Sequence, residues 1–202
     1  MSIKNNRKSE YPIHEMFLNR WSPRAMSGEP IELKELLALI EAGRWAPSSY
    51  NGQPWRFIYA LRQTSTWGKL FNLMVPFNQD WAKNAGALVV VISKKTFEFN
   101  GKPSRTYSFD AGSAWMSIAL QGDCAGLVVH GMEGFDYNRA KSELAIPDDY
   151  SVEMMFAVGK PGKKEDLPDQ MQECEFPSDR KELKELIFEG SYLLAKEPSN
   201  IN

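Results

Sequence analysis

The stretch APSSYNGQPWRF, residues 46–57, joins two different periodicities. Ahead of it, Leu33, Leu36, Leu37 and Ile40 recur every three or four positions and predict a helix over 31–44 with one apolar face. Pro30 suits the first turn of that helix. Behind it, RFIYAL at 56–61 predicts a strand. Pro54 pushes Gln53 into an extended conformation and starts that strand. Between the two lie Ser48, Ser49 and Asn51, small groups that donate and accept at several angles. Two readings stand: a helix-end turn, where such residues are common, or a loop that offers hydrogen bonds to something outside it. The run Gln53–Pro54–Trp55 is less generic than either.

Toward the N-terminus, residues 1–9 read as a polar, frayed arm. Ile13, Met16, Phe17 and Arg20 predict a short helix over 12–20, followed by the basic loop RWSPRAMSGEP. Toward the C-terminus, 64–74 predicts a helix capped by Thr64 or Ser65. ALVVVIS (87–93) is continuously apolar and β-branched, so it predicts a central strand covered on both faces. Residues 110–126 predict a buried helix rich in small residues, stopped by Gly126 in the left-handed conformation. A short strand at 127–131, a turn at 132–135, a helix at 137–145 capped by Asp136 and a strand at 152–159 follow. Residues 160–178 read as open and extended, and 179–190 as a last helix. Strands mixed with helices exclude the all-α and all-β classes. Periodicity taken alone favours a doubly wound parallel sheet, without fixing strand order or direction.

The 202 residues carry 24 basic and 26 acidic side chains, so no global basic field calls for nucleic acid. One domain over 1–202 is expected. Six Trp suit a flat ligand, extra core or an interface between copies. Cys124 and Cys174 form neither a disulfide framework nor a metal pair and fit a reducing compartment. MSIKNNRKSE lacks the apolar region of a signal peptide, and the cytoplasm is the default location.

Three groups of residues could carry chemistry. Arg20, Ser22 and Arg24 set two guanidinium forks and a hydroxyl on one loop, which suits a phosphate or a solvated basic turn. The second group is the loop 46–55. The third is HGMEGF (130–135), where glycines around Met132 and Glu133 would let backbone lie close to a ligand. No GxGxxG motif, P-loop or GxSxG elbow is present, and His14 and His130 lie far from any cysteine pair, so no metal site is expected.

In order along the chain, these residues resemble the FMN-dependent nitroreductase family. The resemblance runs from about residue 13 to 190. It rests on Arg20-x-Ser22-x-Arg24, on Ala46-Pro47-Ser48 with Asn51-x-Gln53-Pro54-Trp55, on the helix from Asp110 to Leu127, on Glu133-Gly134-Phe135 and on Arg180. It implies an α+β fold: a mixed, mostly antiparallel sheet flanked by helices in an intertwined homodimer. The N-terminal arm would be residues 1–10, and the C-terminal segment and last helix residues 160–202. Arg20, Ser22, Arg24 and Arg180 would hold the FMN phosphate and ribityl chain, with Trp21 beside them. Pro47, Ser48, Ser49 and Asn51 would reach the flavin bound mainly by the other subunit, and Gln53 would bond near it or brace the loop. Asn78 would face the flavin's pyrimidine edge, and Gly131, Met132, Glu133 and Gly134 would approach the ring mainly through backbone.

The chain departs from common family forms at three places. Trp21 stands between Arg20 and Ser22, Trp81 stands near a lysine of some members, and Ser178 stands where a second late basic residue often occurs. The implied activity is NAD(P)H reducing FMN, which passes a hydride to a nitroaromatic, quinone or similar acceptor by ping-pong kinetics. Narrower reductive or dehydrogenation chemistry and a non-catalytic flavin-binding or sensing protein are the alternatives.

Overall fold

The apolar run at the centre of the chain becomes the centre of the sheet. Four strands form it in a computed structural model that describes residues 5–192: β1 (Trp55–Leu61), β2 (Ala87–Lys94), β3 (Val128–Met132) and β4 (Tyr150–Gly159). Residues 1–4 and 193–202, the outer ends of the expected arm and C-terminal segment, lie outside the described residues. Strand order is β1-β2-β4-β3, and each neighbouring pair is antiparallel. Val91 pairs with Phe57 on one side and Met154 on the other, with a register shift before Ile92.

Successive side chains of β2 point to opposite faces. Leu88, Val90 and Ile92 enter one core with Leu70, Trp81 and Met155. Ala87, Val89 and Val91 enter the other with Leu36, Leu39, Ile118 and Phe156. A strand buried on both faces needs no polar alternation, whichever way its neighbours run. The parallel sheet favoured by periodicity is therefore corrected, and the antiparallel α+β arrangement implied by the resemblance is what the chain adopts.

Seven helices flank the sheet among the described residues: α1 (Met16–Asn19), α2 (Leu33–Arg44), α3 (Trp67–Phe71), α4 (Pro76–Ala82), α5 (Tyr107–Cys124), α6 (Tyr137–Glu143) and α7 (Asp169–Gln172). Helix α5 carries the small residues that bring it close to β3. A Cβ on Gly122 would stand 2.2 Å from Val129 Cγ2. The helix ends as expected, with Gly126 at φ 69°. The Gly126 and Leu127 N–H groups donate to the Asp123 and Gly122 carbonyls at 3.0 and 2.9 Å. Asp136 caps α6 by accepting the Arg139 N–H at 2.9 Å.

Three expectations on the helices are corrected. Leu36 and Leu39 of α2 are buried, but Leu33 and Leu37 face outward. The helix expected at 64–74 is only α3, and Thr64 closes a turn onto the Leu61 carbonyl rather than capping it. Over 179–190 the chain makes a single 3-10 turn, Leu183–Glu185, with Leu186, Ile187 and Phe188 exposed. Amphipathic spacing alone does not hold a helix that has no core to pack on.

Candidate active site

The loop Arg20–Ala25 crosses the β3 end of the sheet, and buried groups hold it there. His130 on β3 lies beneath it, 2.8 Å from the Pro23 carbonyl through Nδ1. Burial first, then Arg24 and Arg20, press the His130 proton affinity down to about 4, against the pull of the Pro23 and Ser22 carbonyls. The imidazole is thus neutral near pH 7 and packs on Trp81, ring centres 4.5 Å apart. From the other side the buried Glu175 carboxylate accepts the Arg24 and Ala25 N–H groups at 2.7 and 2.9 Å.

Two grooves meet at this loop. One, of 510 Å³, is lined by Arg20, Ser22, Gly131, Met132 and Glu133, together with Trp115, Met116, Tyr137, Glu153 and Met154. The other, of 270 Å³, is lined by Arg7, Arg20, Trp21, Ser22, Arg24, His130 and Arg180. Arg20 and Ser22 belong to both, and the Arg20 guanidinium donates to Ser22 Oγ at 3.2 Å. The first groove has a glycine in its floor: a Cβ on Gly131 would come within 2.7 Å of Met154 Cε and 2.9 Å of Trp115 Cζ2, so a larger residue there must displace them. The second concentrates like charge. Burial lowers the proton affinity of Arg20, and Arg180 lowers it further; Arg7 is lowered by burial, then by Arg180 and Arg20. Among the described residues none of these three has a carboxylate within 4.0 Å. A bound anion would relieve that repulsion.

The turn after β3 is fixed from behind. Asn78 on α4 donates through Nδ2 to the Gly134 carbonyl at 3.0 Å and accepts the Trp81 indole N–H at 3.3 Å. The Val75 N–H also donates to the Gly134 carbonyl, at 3.0 Å. A Cβ on Gly134 would stand 2.6 Å from Asn78 Nδ2. Among the described residues the Glu133 and Gly134 N–H groups have no acceptor, so the turn keeps its donors free.

The structure thus brings together Arg20, Trp21, Ser22, Arg24, Arg180, Gly131, Met132 and Glu133, with Gly134 next to them. Asn78 lines neither groove: it is buried, and both ends of its amide brace the turn. Pro47, Ser48, Ser49, Asn51 and Gln53 line neither groove. Ser48 Oγ accepts the Gln53 N–H at 3.0 Å, the Ser49 N–H donates to Asp110 at 3.2 Å, and Gln53 Nε2 donates to the Asn51 carbonyl at 3.0 Å. Tyr50, Asn51 and Gln53 all adopt positive φ, at 52°, 53° and 44°. Left-handed non-glycine residues in such density mark stored strain.

Four lining or supporting residues escaped the sequence reading. Arg7 lies in the supposedly frayed arm, yet it donates to the Ser178, Leu18 and Arg20 carbonyls at 2.8, 3.1 and 2.8 Å. It thereby puts a basic side chain beside Ser178, where the sequence lacks one. Glu153 accepts from the Ser93 and Ser108 hydroxyls; a carboxylate inside the apolar strand VEMMFAVG was its signal. Tyr137, directly after the cap Asp136, lines the groove with Glu153. Glu175 had no signal in its local sequence.

Comparison with known proteins agrees with this geometry. The sequence profile of the Nitroreductase family matches residues 18–66. The chain is also 45% identical to a solved structure described as an oxidoreductase containing FMN, with a TM-score of 0.89 over 95% of this chain and 98% of that one. The chain belongs to the nitroreductase family. Over 68 residues it is 40% identical to the oxygen-insensitive NADPH nitroreductase of Helicobacter acinonychis (strain Sheeba), a match spanning 32% of this chain and 30% of that protein. A nitroreductase family protein from Streptococcus pneumoniae TIGR4 shares the fold alone: 19% identity, a TM-score of 0.70, and coverage of 87% and 98%.

Proposed function

We propose that this nitroreductase-family chain is an FMN-dependent oxidoreductase working as a homodimer, with NAD(P)H as electron donor and an electron-poor acceptor such as a nitroaromatic or quinone. One observation carries the reading: a glycine-floored groove runs through Arg20 and Ser22 into a second groove where Arg7, Arg20 and Arg180 have no carboxylate partner among the described residues. A planar ring with a phosphate tail has that shape and that charge. The 45% identical structure containing FMN supports the choice of cofactor, and the Helicobacter relative's name supports NADPH among the donors.

FMN, when bound, supplies two-electron transfer between donor and acceptor. The chain's own residues do the rest. Arg20, Arg24, Arg180 and Arg7 would hold the phosphate as permanently charged forks. Ser22 offers a hydroxyl to the ribityl side. Gly131 keeps the floor flat, and Trp115 and Met154 back it. The free N–H groups of Glu133 and Gly134 offer hydrogen bonds at the ring's edge, held in place by Asn78. Pro47, Ser48, Ser49, Asn51 and Gln53 reach outward toward the partner copy. Tyr50 at 81% and Trp45 at 74% exposure beside that loop, and Phe109 at 81% on α5, support a second chain covering this side.

Ping-pong kinetics follow if donor and acceptor use the same groove in turn. Purified protein should show the flavin absorbance bands, bleach under anaerobic NAD(P)H, and recover on adding a quinone or nitroaromatic. A chain that stays colourless after incubation with FMN overturns the proposal. A yellow protein that NAD(P)H never bleaches is a binder only. A stable monomer that retains flavin refutes the shared site.

A further inference from the structure

Glu175 is among the most deeply buried polar residues described, at 1% exposure, and it sits in the chain that follows α7. A carboxylate in such a place is costly unless it is paired and hydrogen-bonded. Its Oε1 is well used, accepting both the Arg24 and the Ala25 N–H. Its Oε2 is not: the Arg24 Nη1 stands 3.9 Å away, an ion-pair distance without a hydrogen bond. Oε2 and Arg24 Nε are both buried without a hydrogen-bond partner. Arg24 itself keeps 26% of its side chain exposed, in the groove it shares with Arg7, Arg20 and Arg180. The pair is therefore engaged at one carboxylate oxygen by backbone and left loose between the charges.

We infer that Glu175 is a positioning residue with two opposed effects on the anion site: it pins the Arg24–Ala25 backbone in binding geometry, and it offsets part of the Arg24 charge there. This rests on the proposed function insofar as the anion is the FMN phosphate. The geometry of the pair does not depend on it. Backbone pinning favours binding, because a preformed loop has no ordering entropy left to lose. The buried negative charge opposes binding, because it lies beside the cation that would face the phosphate.

The two effects separate by substitution. Glu175→Gln keeps an oxygen acceptor for both N–H groups and removes the charge. Glu175→Ala removes both. FMN dissociation constants of the refolded apoproteins are measured by flavin fluorescence, and inorganic phosphate is titrated against tryptophan emission, with thermal melts as the check on folding. Glu175→Gln should bind FMN and phosphate about threefold to tenfold more tightly. Glu175→Ala should bind both about tenfold more weakly, since the Arg24 and Ala25 N–H groups lose their acceptor. Two changes of the same sign, or none, overturn the inference: both tighter means charge alone, both weaker means scaffold alone. If Glu175→Ala does not fold, the Gln variant decides, and unchanged or weaker binding sinks the inference. Wild-type protein that binds phosphate but no FMN removes the cofactor reading and leaves the Glu175 test standing.

Discussion

The two halves of the candidate site are built differently. The groove around Gly131 and Arg20 is anchored inside the chain: a central strand behind it, His130 and Trp81 beneath it, Asn78 and Glu175 holding its turns. The loop 47–53 is bonded mostly within itself, carries left-handed Tyr50, Asn51 and Gln53, and leaves the Tyr50 ring largely exposed. The first half is stabilised by its own fold. The second stores strain that its own fold does not relieve, as a segment shaped for contact with another molecule would.

That contrast can be broken at several points. The largest effect should come from acid at His130. Its folded-state value of about 4 lies below the ordinary 6.5, so unfolded chains bind the extra proton between those values. The stability contribution is complete above 6.5 and is lost as pH falls toward 4. The loss is at most about 3 kcal/mol. Denaturant titrations from pH 7.5 to 4 should show it, and His130→Gln should flatten the slope; identical slopes would remove His130 from the anchored half.

Next is Arg20→Ala, expected to weaken FMN binding by about 2 kcal/mol, on the order of thirtyfold, with the melting temperature little changed. Equal losses of stability and affinity would make Arg20 part of the scaffold instead. Gly131→Ala forces a Cβ into Met154 and Trp115. A loss of about 1–2 kcal/mol in stability is expected, with a perturbed flavin spectrum. The smallest effect carries the opposite sign. Tyr50→Gly relieves a left-handed residue and should stabilise the isolated chain by about 0.5–1 kcal/mol while weakening self-association in sedimentation experiments. A destabilised chain with unchanged association would mean that the loop serves its own fold after all.

Much of the scaffold was legible. The apolar β2, the small-residue helix α5 with its Gly126 stop and the Asp136 cap follow from short-range rules, because each depends on residues within a turn or two. Arg20, Ser22, Gly131 and Glu133, singled out by the resemblance, line one groove. Arg7 was not legible, because nothing in a polar arm says which carbonyls it will reach. Nor was the bracing of the turn by Asn78, whose amide meets Trp81 one helical turn away and Gly134 56 residues along the chain.

Local patterning by itself determined the four strands and the helices α2, α5 and α6, and which residue types could grip an anion. Only the tertiary structure decided that the sheet is antiparallel, that Leu33 and Leu37 face outward, and that Glu175 reaches back 151 residues to hold Arg24. Periodicity reports how many faces of an element are covered. It carries no information on what covers them, because burial of apolar surface is non-directional and the pairing of distant polar groups is set by where the whole chain closes.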